Sequence, residues 1–158
     1  DYQRFLAHEW PQCYLSICDI HCTRAFLKEK THVHVLRPGG EQRGRYSAIA
    51  AALDLEFAGF IGVPTSGFSR AGESYSGDLR RSLLSIDPDA CAERMAPWSN
   101  WALHSPGDTV IPFADGQALY QVLPEPKSFF PFNGTHGLNE EADAWIPGEC
   151  AQIYGPAR

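Results

Sequence analysis

Basic charge is scarce in this sequence: 13 Lys and Arg face 19 Asp and Glu, a net charge of −6 over 158 residues. Such an acidic chain has no electrostatic footprint for nucleic acid or for an anionic membrane surface. Long apolar runs are missing too. The longest apolar stretch, Ser47 to Val63, contains Asp54 and Glu56, which excludes a transmembrane helix. The start of the chain has no signal-peptide pattern. No repeat, low-complexity tract or linker interrupts it, so residues 1–158 read as one domain. Cysteine is sparse and odd in number. Cys13, Cys18, Cys22, Cys91 and Cys150 show no framework spacing, which fits reduced thiols in the cytoplasm. Metal ligands are short as well. Cys18, His21 and Cys22 share a helix, but no fourth ligand accompanies them, and neither a metal nor a cofactor is expected. Leu15, Cys18, Cys22 and Phe26 instead form an apolar stripe at three- and four-residue steps. Methionine occurs once, at Met95, and the chain opens on Asp1, which suggests a cut or processed N-terminus.

What is present is an alternation of helix and strand periods. Tyr14 to Lys30 reads as an amphipathic helix, with Lys28 and Lys30 suiting the negative end of its dipole. Thr31 to Leu36 is a β-branched strand, and Gly39 to Gly44 a tight glycine-rich turn. An Ala-rich helix spans Tyr46 to Leu53, and a buried strand Phe57 to Val63. A Ser- and Gly-rich loop, Pro64 to Ser76, leads into short helices over Asp78 to Ile86 and Ala90 to Met95. Trp98 to His104 is a strand, Phe113 to Val122 a helix and Lys127 to Phe132 a strand. The last segment, Leu138 to Tyr154, starts helical and should break near Pro147-Gly148. Strands alternating with helices predict parallel βαβ units in a three-layer α/β sandwich. Trp98, Trp101, Phe129, Phe130 and Phe132 are the expected packing of the last two strands, with Trp145 covering them.

Two loops carry the chemistry. Leu103-His-Ser-Pro-Gly-Asp-Thr-Val-Ile-Pro-Phe113 places Asp108 just beyond one strand. Asn133-Gly-Thr-His-Gly137 places His136 just beyond the next. Neighbouring parallel strands that each deliver one polar side chain at the C-terminal edge are what a carboxylate needs to orient an imidazole.

From Leu103 onward, through Gly116-Gln-Ala-Leu-Tyr120 and the His136 loop, the chain resembles the α/β-hydrolase family, in particular its compact esterase and serine-peptidase-like members. The resemblance implies that Asp108 is the triad acid and His136 the triad base. Upstream it is weaker. It makes Asp19 through Val35, with Phe26-Leu-Lys-Glu-Lys-Thr31, the helix before the nucleophile strand, and aligns Gly40-Glu-Gln-Arg-Gly44 with the Gly-x-Ser-x-Gly nucleophile elbow. The nucleophile position then holds Gln42, whose amide cannot attack an acyl group. Loss of a nucleophile costs on the order of 10⁶ in rate where it has been measured. The Arg43 N–H would be the remaining oxyanion donor. Ser69, in Gly67-Phe-Ser-Arg-Ala-Gly72, is a lesser nucleophile candidate, and Ser47 a lesser one still.

The resemblance thus implies a hydrolase of carboxylic esters or peptides, acting on a small-molecule ester or amide and impaired by Gln42. The alternative is a non-catalytic module that binds a ligand or partner on the same fold. Phosphate or nucleotide binding at Gly39–Gly44 is a remote third. There Arg45 stands where Lys is expected, Tyr46 where Ser or Thr would hold magnesium, and Glu41 would repel the phosphate. The family's front strands have no counterpart here, so the Thr31–Leu36 strand should form an open edge. That edge is expected to be covered by a second copy, by a complementary chain or by Asp1–Cys13 folding back.

Overall fold

In the computed structural model of the chain, residues 1–41 and 43–154 are described. Four strands lie side by side in chain order: β1 (Gly39–Glu41), β2 (Ile61–Val63), β3 (Asn100–His104) and β4 (Lys127–Pro131). All three pairings are parallel, as short strands joined through helices must be. Helix α1 (Tyr2–Leu6) and helix α2 (Gln12–Lys30) precede the sheet. Between β1 and β2 runs α3 (Gly44–Leu53). Helix α4 (Gly77–Ser85) and three 3-10 turns, Ala71–Ser74, Pro88–Ala90 and Ala92–Arg94, connect β2 to β3. The crossover to β4 is α5 (Phe113–Val122), and α6 (Glu140–Tyr154) follows the sheet.

Side-chain alternation along the strands divides the core in two. One cluster joins Ala102 of β3 to Ile17 of α2, Ala48 to Ala52 of α3, and Leu119 and Leu123 around the end of α5. The other joins Val63, Trp101, Leu103 and Phe132 to Ala142, with Trp145 and Ile146 of α6 packed on it. The α/β sandwich expected from the sequence is therefore present, with α6 on one face and α2, α3 and α5 on the other. Trp145 meets Trp101 edge-on at 5.4 Å and stacks on Phe130 at 4.9 Å, a geometry favoured by aromatic quadrupoles.

Several expectations are corrected. Thr31–Leu36 is not a strand. Pairing begins only at Gly39, inside the segment expected to be a turn. Upstream, the carbonyls of Leu36 and Pro38 accept bonds from the β2 side, from Ala58 at 2.9 Å and Ile61 at 3.1 Å. Pro38 has no N–H to return, so no ladder extends through it. Val33 and Val35 are consequently exposed, and the edge strand on that side of the sheet is β1 instead, with β4 at the opposite edge. The Asp1–Cys13 segment does not cover that edge. Helix α1 lies against α4, and the Asp1 carboxylate caps α2 by accepting the N–H groups of Gln12 and Cys13. On α2 the buried face runs through Cys13 and Ile17, while Cys22 and Phe26 of the expected stripe are exposed. Both sets have helical spacing, and tertiary packing selects between them: Ile17 joins the cluster with α3, while Cys13 lines a cleft with Leu79 and Ser82 of α4. Trp98 is also exposed rather than packed. Only Ile61–Val63 of the expected Phe57–Val63 strand is paired, although Phe57 and Phe60 are buried. Finally, α6 continues through Pro147. Trp145, Ile146 and Cys150 flank that proline and pack on one cluster, which outweighs the hydrogen bond the proline forfeits.

Candidate active site

The ends of β3 and β4 deliver the two side chains the sequence singles out. Beyond β3 the chain turns sharply, and the Asp108 carboxylate closes the turn. Its Oδ1 accepts the N–H groups of Val110 at 2.8 Å and Ile111 at 2.9 Å. This is the Asx-type capture of local amides that favours Asp in such loops. Beyond β4, His136 reaches back across the neighbouring strand. Its Nδ1 lies 2.9 Å from Asp108 Oδ2 and 3.1 Å from Oδ1. Both partners are carboxylate oxygens, so Nδ1 is the donor and Nε2 is left as the basic nitrogen. The Asp108 side chain is fully buried and that of His136 is 16% exposed. Burial pushes the Asp108 carboxyl upward. The N–H of Ile111, His136 and the N–H of Val110 together outweigh that and hold it below the usual carboxylate range. Asp108 is therefore an ionised, fixed acceptor.

The two loops are tied to each other and to α6. The Ser105 hydroxyl donates to the Gly134 carbonyl at 2.5 Å and accepts from the Gly107 N–H at 3.1 Å. The Asn139 amide donates to the Asn133 carbonyl at 2.6 Å, and Glu141 accepts the Asn133 N–H at 2.9 Å. Asn139 also accepts the Ala142 N–H at 3.0 Å, which caps the start of α6. Under Asp108 lies His104, the last residue of β3, with 1% of its side chain exposed. Its Nε2 is 3.0 Å from the Ile111 carbonyl and 3.5 Å from Asp108 Oδ2. His104 and Ser105 went unrecognised in the sequence. The available signal was a polar pair closing the otherwise apolar Trp101-Ala-Leu103 run, immediately before a candidate acid.

At the same C-terminal edge of the sheet, the turn from β1 into α3 is compact. A Cβ on Gly40 would lie 2.8 Å from the Gly44 Cα, and one on Gly44 would lie 2.0 Å from the Thr65 hydroxyl, so the close approach of this turn requires glycine at both positions. Gln42, the residue aligned with the nucleophile, lies outside the described residues. The Arg43 N–H, expected as an oxyanion donor, donates to the Glu41 carbonyl at 2.5 Å. It is thus engaged within its own turn. The Glu41 carboxylate lies against Gly137, beside His136. Ser47 is buried, with its hydroxyl on the Gly39 carbonyl at 2.9 Å.

Ser69 has no hydrogen bond to His136. Its N–H donates to Asp89 Oδ2 at 2.7 Å, in a loop where Ser69 and Arg70 both take positive φ. Asp87 secures the same loop by accepting the N–H groups of Phe68 and Arg70, each at 2.9 Å. Asp89 is almost fully buried, and its Oδ1 has no partner. Burial, with repulsion from Asp87 and Asp115, pushes its carboxyl up to about 6 against the opposing Ser69 bond. Among the described residues no group of three or more His, Cys, Asp or Glu side chains is arranged to hold a metal ion. His21 faces Asp54 at 3.4 Å and Cys22 is exposed.

The fold is that of the α/β-hydrolases. An esterase domain from Rhodothermus marinus superposes with a TM-score of 0.63 at 16% identity, over 87% of this chain and 67% of that one. An acetyl xylan esterase from Paenibacillus sp. R4 gives 0.66 at 19% identity, over 90% of this chain and 51% of the other. A puromycin-hydrolyzing peptidase from Mycobacterium tuberculosis gives 0.63 at 17%, over 87% of this chain and 24% of that one. The chain therefore spans between about a quarter and two thirds of these proteins' lengths. No family model matches the sequence, and no curated protein matches it. Among the described residues no helix is long and apolar enough to cross a membrane.

Proposed function

We propose that the chain is an α/β-hydrolase-fold protein related to carboxylic-ester or peptide hydrolases, with Asp108 orienting His136 as general base and Gln42 in the nucleophile position. The observation that carries this is the pair of contacts from His136 Nδ1 to the buried Asp108 carboxylate. A carboxylate on Nδ1 fixes the tautomer in which Nε2 takes a proton from a hydroxyl and later returns it to a leaving group. With Gln42 there is no hydroxyl to deprotonate, and hydrolysis is impaired. The bond between Arg43 and Glu41 also withholds an oxyanion donor, whose loss costs about 10²–10³ in turnover. That bond favours the second reading, a module that holds a small ester- or amide-like ligand, or a partner, without turning it over.

The test is hydrolysis of p-nitrophenyl acetate and butyrate by wild type, Gln42→Ser and His136→Ala. Wild type should not exceed the His136→Ala background. Gln42→Ser should show a gain that disappears when His136→Ala is added. A wild-type activity that depends on His136 would mean that Gln42 is not the effective position and would return attention to Ser69.

The open β1 edge supports a further element of the proposal: a second copy or a complementary chain pairs there. Sedimentation that shows a monomer at every concentration, without such a chain, would count against it. The five unpaired cysteines fit a reducing compartment such as the cytoplasm.

A further inference from the structure

His104 is the one buried imidazole near the acid that the hydrolytic scheme does not use. It stands at the C-terminal end of β3, where alternation turns it toward α5 rather than toward α6. Phe113 meets its ring edge-on at 5.6 Å. A Cβ on Gly116 would come within 2.0 Å of its Nδ1, so α5 closes over the ring only because residue 116 is glycine. Phe113 and Gly116, its contacts on α5, carry no charge. The ionisable groups it faces are Asp108 directly and His136 through Asp108. Its Nε2 meets the Ile111 carbonyl at 3.0 Å, and since a carbonyl only accepts, Nε2 carries the proton. Ile111 is also one of the two residues whose N–H groups hold Asp108 Oδ1. A single residue is therefore held by His104 on its carbonyl and holds the acid with its amide. The same Nε2–H lies 3.5 Å from Asp108 Oδ2, adding a positive edge beside the carboxylate.

We propose that His104 is a positioning residue for the Asp108–His136 pair. It fixes the Asp108–Ile111 turn from beneath, so that the amides of Val110 and Ile111 converge on the carboxylate and Oδ2 stays aimed at His136. The role in turnover rests on the hydrolase function proposed above, but the positioning itself does not require a nucleophile.

The test uses two substitutions in the full chain. His104→Phe keeps a ring of similar shape against Phe113 and Gly116 but deletes the donor. His104→Gln keeps an amide N–H at a similar reach. The readouts are the low-field Nδ1–H resonance of His136 and the carboxyl titration of Asp108, both followed by NMR. In His104→Phe the His136 resonance should move upfield and broaden, and the Asp108 midpoint should rise by roughly half a unit or more, as expected when a carboxylate loses donors. His104→Gln should restore both toward wild type. In a Gln42→Ser background, His104→Phe should lower kcat roughly tenfold with KM unchanged, the mark of misplacement rather than lost binding. A folded His104→Phe with both signals unchanged would overturn the role. So would equal losses in both variants, which would assign the effect to packing.

If His104→Phe does not fold, the tautomer of His104 in the wild-type chain decides, read from its 15N shifts. An Nδ1–H form would overturn the proposal, and an Nε2–H form with intact signals in His104→Gln would uphold it. Because these signals are read without turnover, an inert Gln42→Ser enzyme leaves the test standing. Conversely, an active Gln42→Ser enzyme with unmoved signals in His104→Phe would remove this role alone.

Discussion

Asp89 should make the protein less stable at neutral pH than in mild acid, against the usual behaviour of a carboxylate. The folded chain holds its carboxyl at about 6, against an ordinary 3.8. Between those values the folded state retains a proton that the unfolded chain has released. The contribution is therefore fully present below pH 3.8 and is lost as pH rises through 6. Two units at 1.36 kcal/mol each make this about 3 kcal/mol, or roughly 1.5 M in the urea midpoint of a chain this size. The physical source is a nearly buried charge with one oxygen on the Ser69 N–H and the other on nothing. Asp89→Asn removes the charge and keeps an oxygen for Ser69. Its new amide donor offsets part of the gain, so the slope with pH is the diagnostic quantity rather than stability at one pH. Urea unfolding followed by tryptophan fluorescence at half-unit steps from pH 4 to 7 measures it. The difference between wild type and Asp89→Asn should widen in the variant's favour as pH rises. A difference that stays flat across that range would refute the assignment of a perturbed carboxyl to Asp89.

Asp108→Asn, placed in the Gln42→Ser background, should lower kcat by about 10⁴ with little change in fold, because an amide no longer enforces the His136 tautomer; circular dichroism and ester hydrolysis check the two halves. The pH dependence has the opposite sign to that of Asp89. The Asp108 carboxyl is held low, so its stabilisation is present above pH 3.8 and is lost as pH falls through its folded value, and Asp108→Asn should flatten the acid limb of unfolding. Trp145→Ala should cost about 3 kcal/mol in urea unfolding, since it strips the ring contacts with Trp101 and Phe130. A loss below 1 kcal/mol would mean that α6 is held chiefly by its Asn139 cap.

The legible part of the sequence was the part where local rules and tertiary needs agree. Phe113–Val122 is a helix with the expected bounds, and Trp98–His104 and Lys127–Phe132 hold β3 and β4 within two residues at either end. Asp108 and His136 were legible because loops at adjacent strand ends constrain where two side chains meet. The failures have one cause in common. Thr31–Leu36 has strand composition, but a strand needs partners, and Pro38 interrupts the ladder that would reach it. Pro147 should end a helix, yet the cluster on β3 and β4 holds both of its flanks. The Leu15-to-Phe26 stripe has a competitor of equal period in Cys13 and Ile17, and only the positions of α3 and α4 separate them. His104 is not legible because a histidine closing a buried strand carries no local mark of what it touches.

The hydroxyl of Ser105 on the Gly134 carbonyl has a consequence that is mechanical. The Asp108 loop and the His136 loop leave different strands, yet one short bond from the Ser105 side chain to the Gly134 backbone joins them, and Asn133 fastens the second loop to the head of α6. These bonds restrain relative motion of the two loops once the chain has folded. A ligand arriving at His136 meets a single stiff body, and the entropy of aligning acid with base has been spent before it arrives. Any push on the imidazole is shared with the Asp108 turn and, through the Asn133 fastening, with α6.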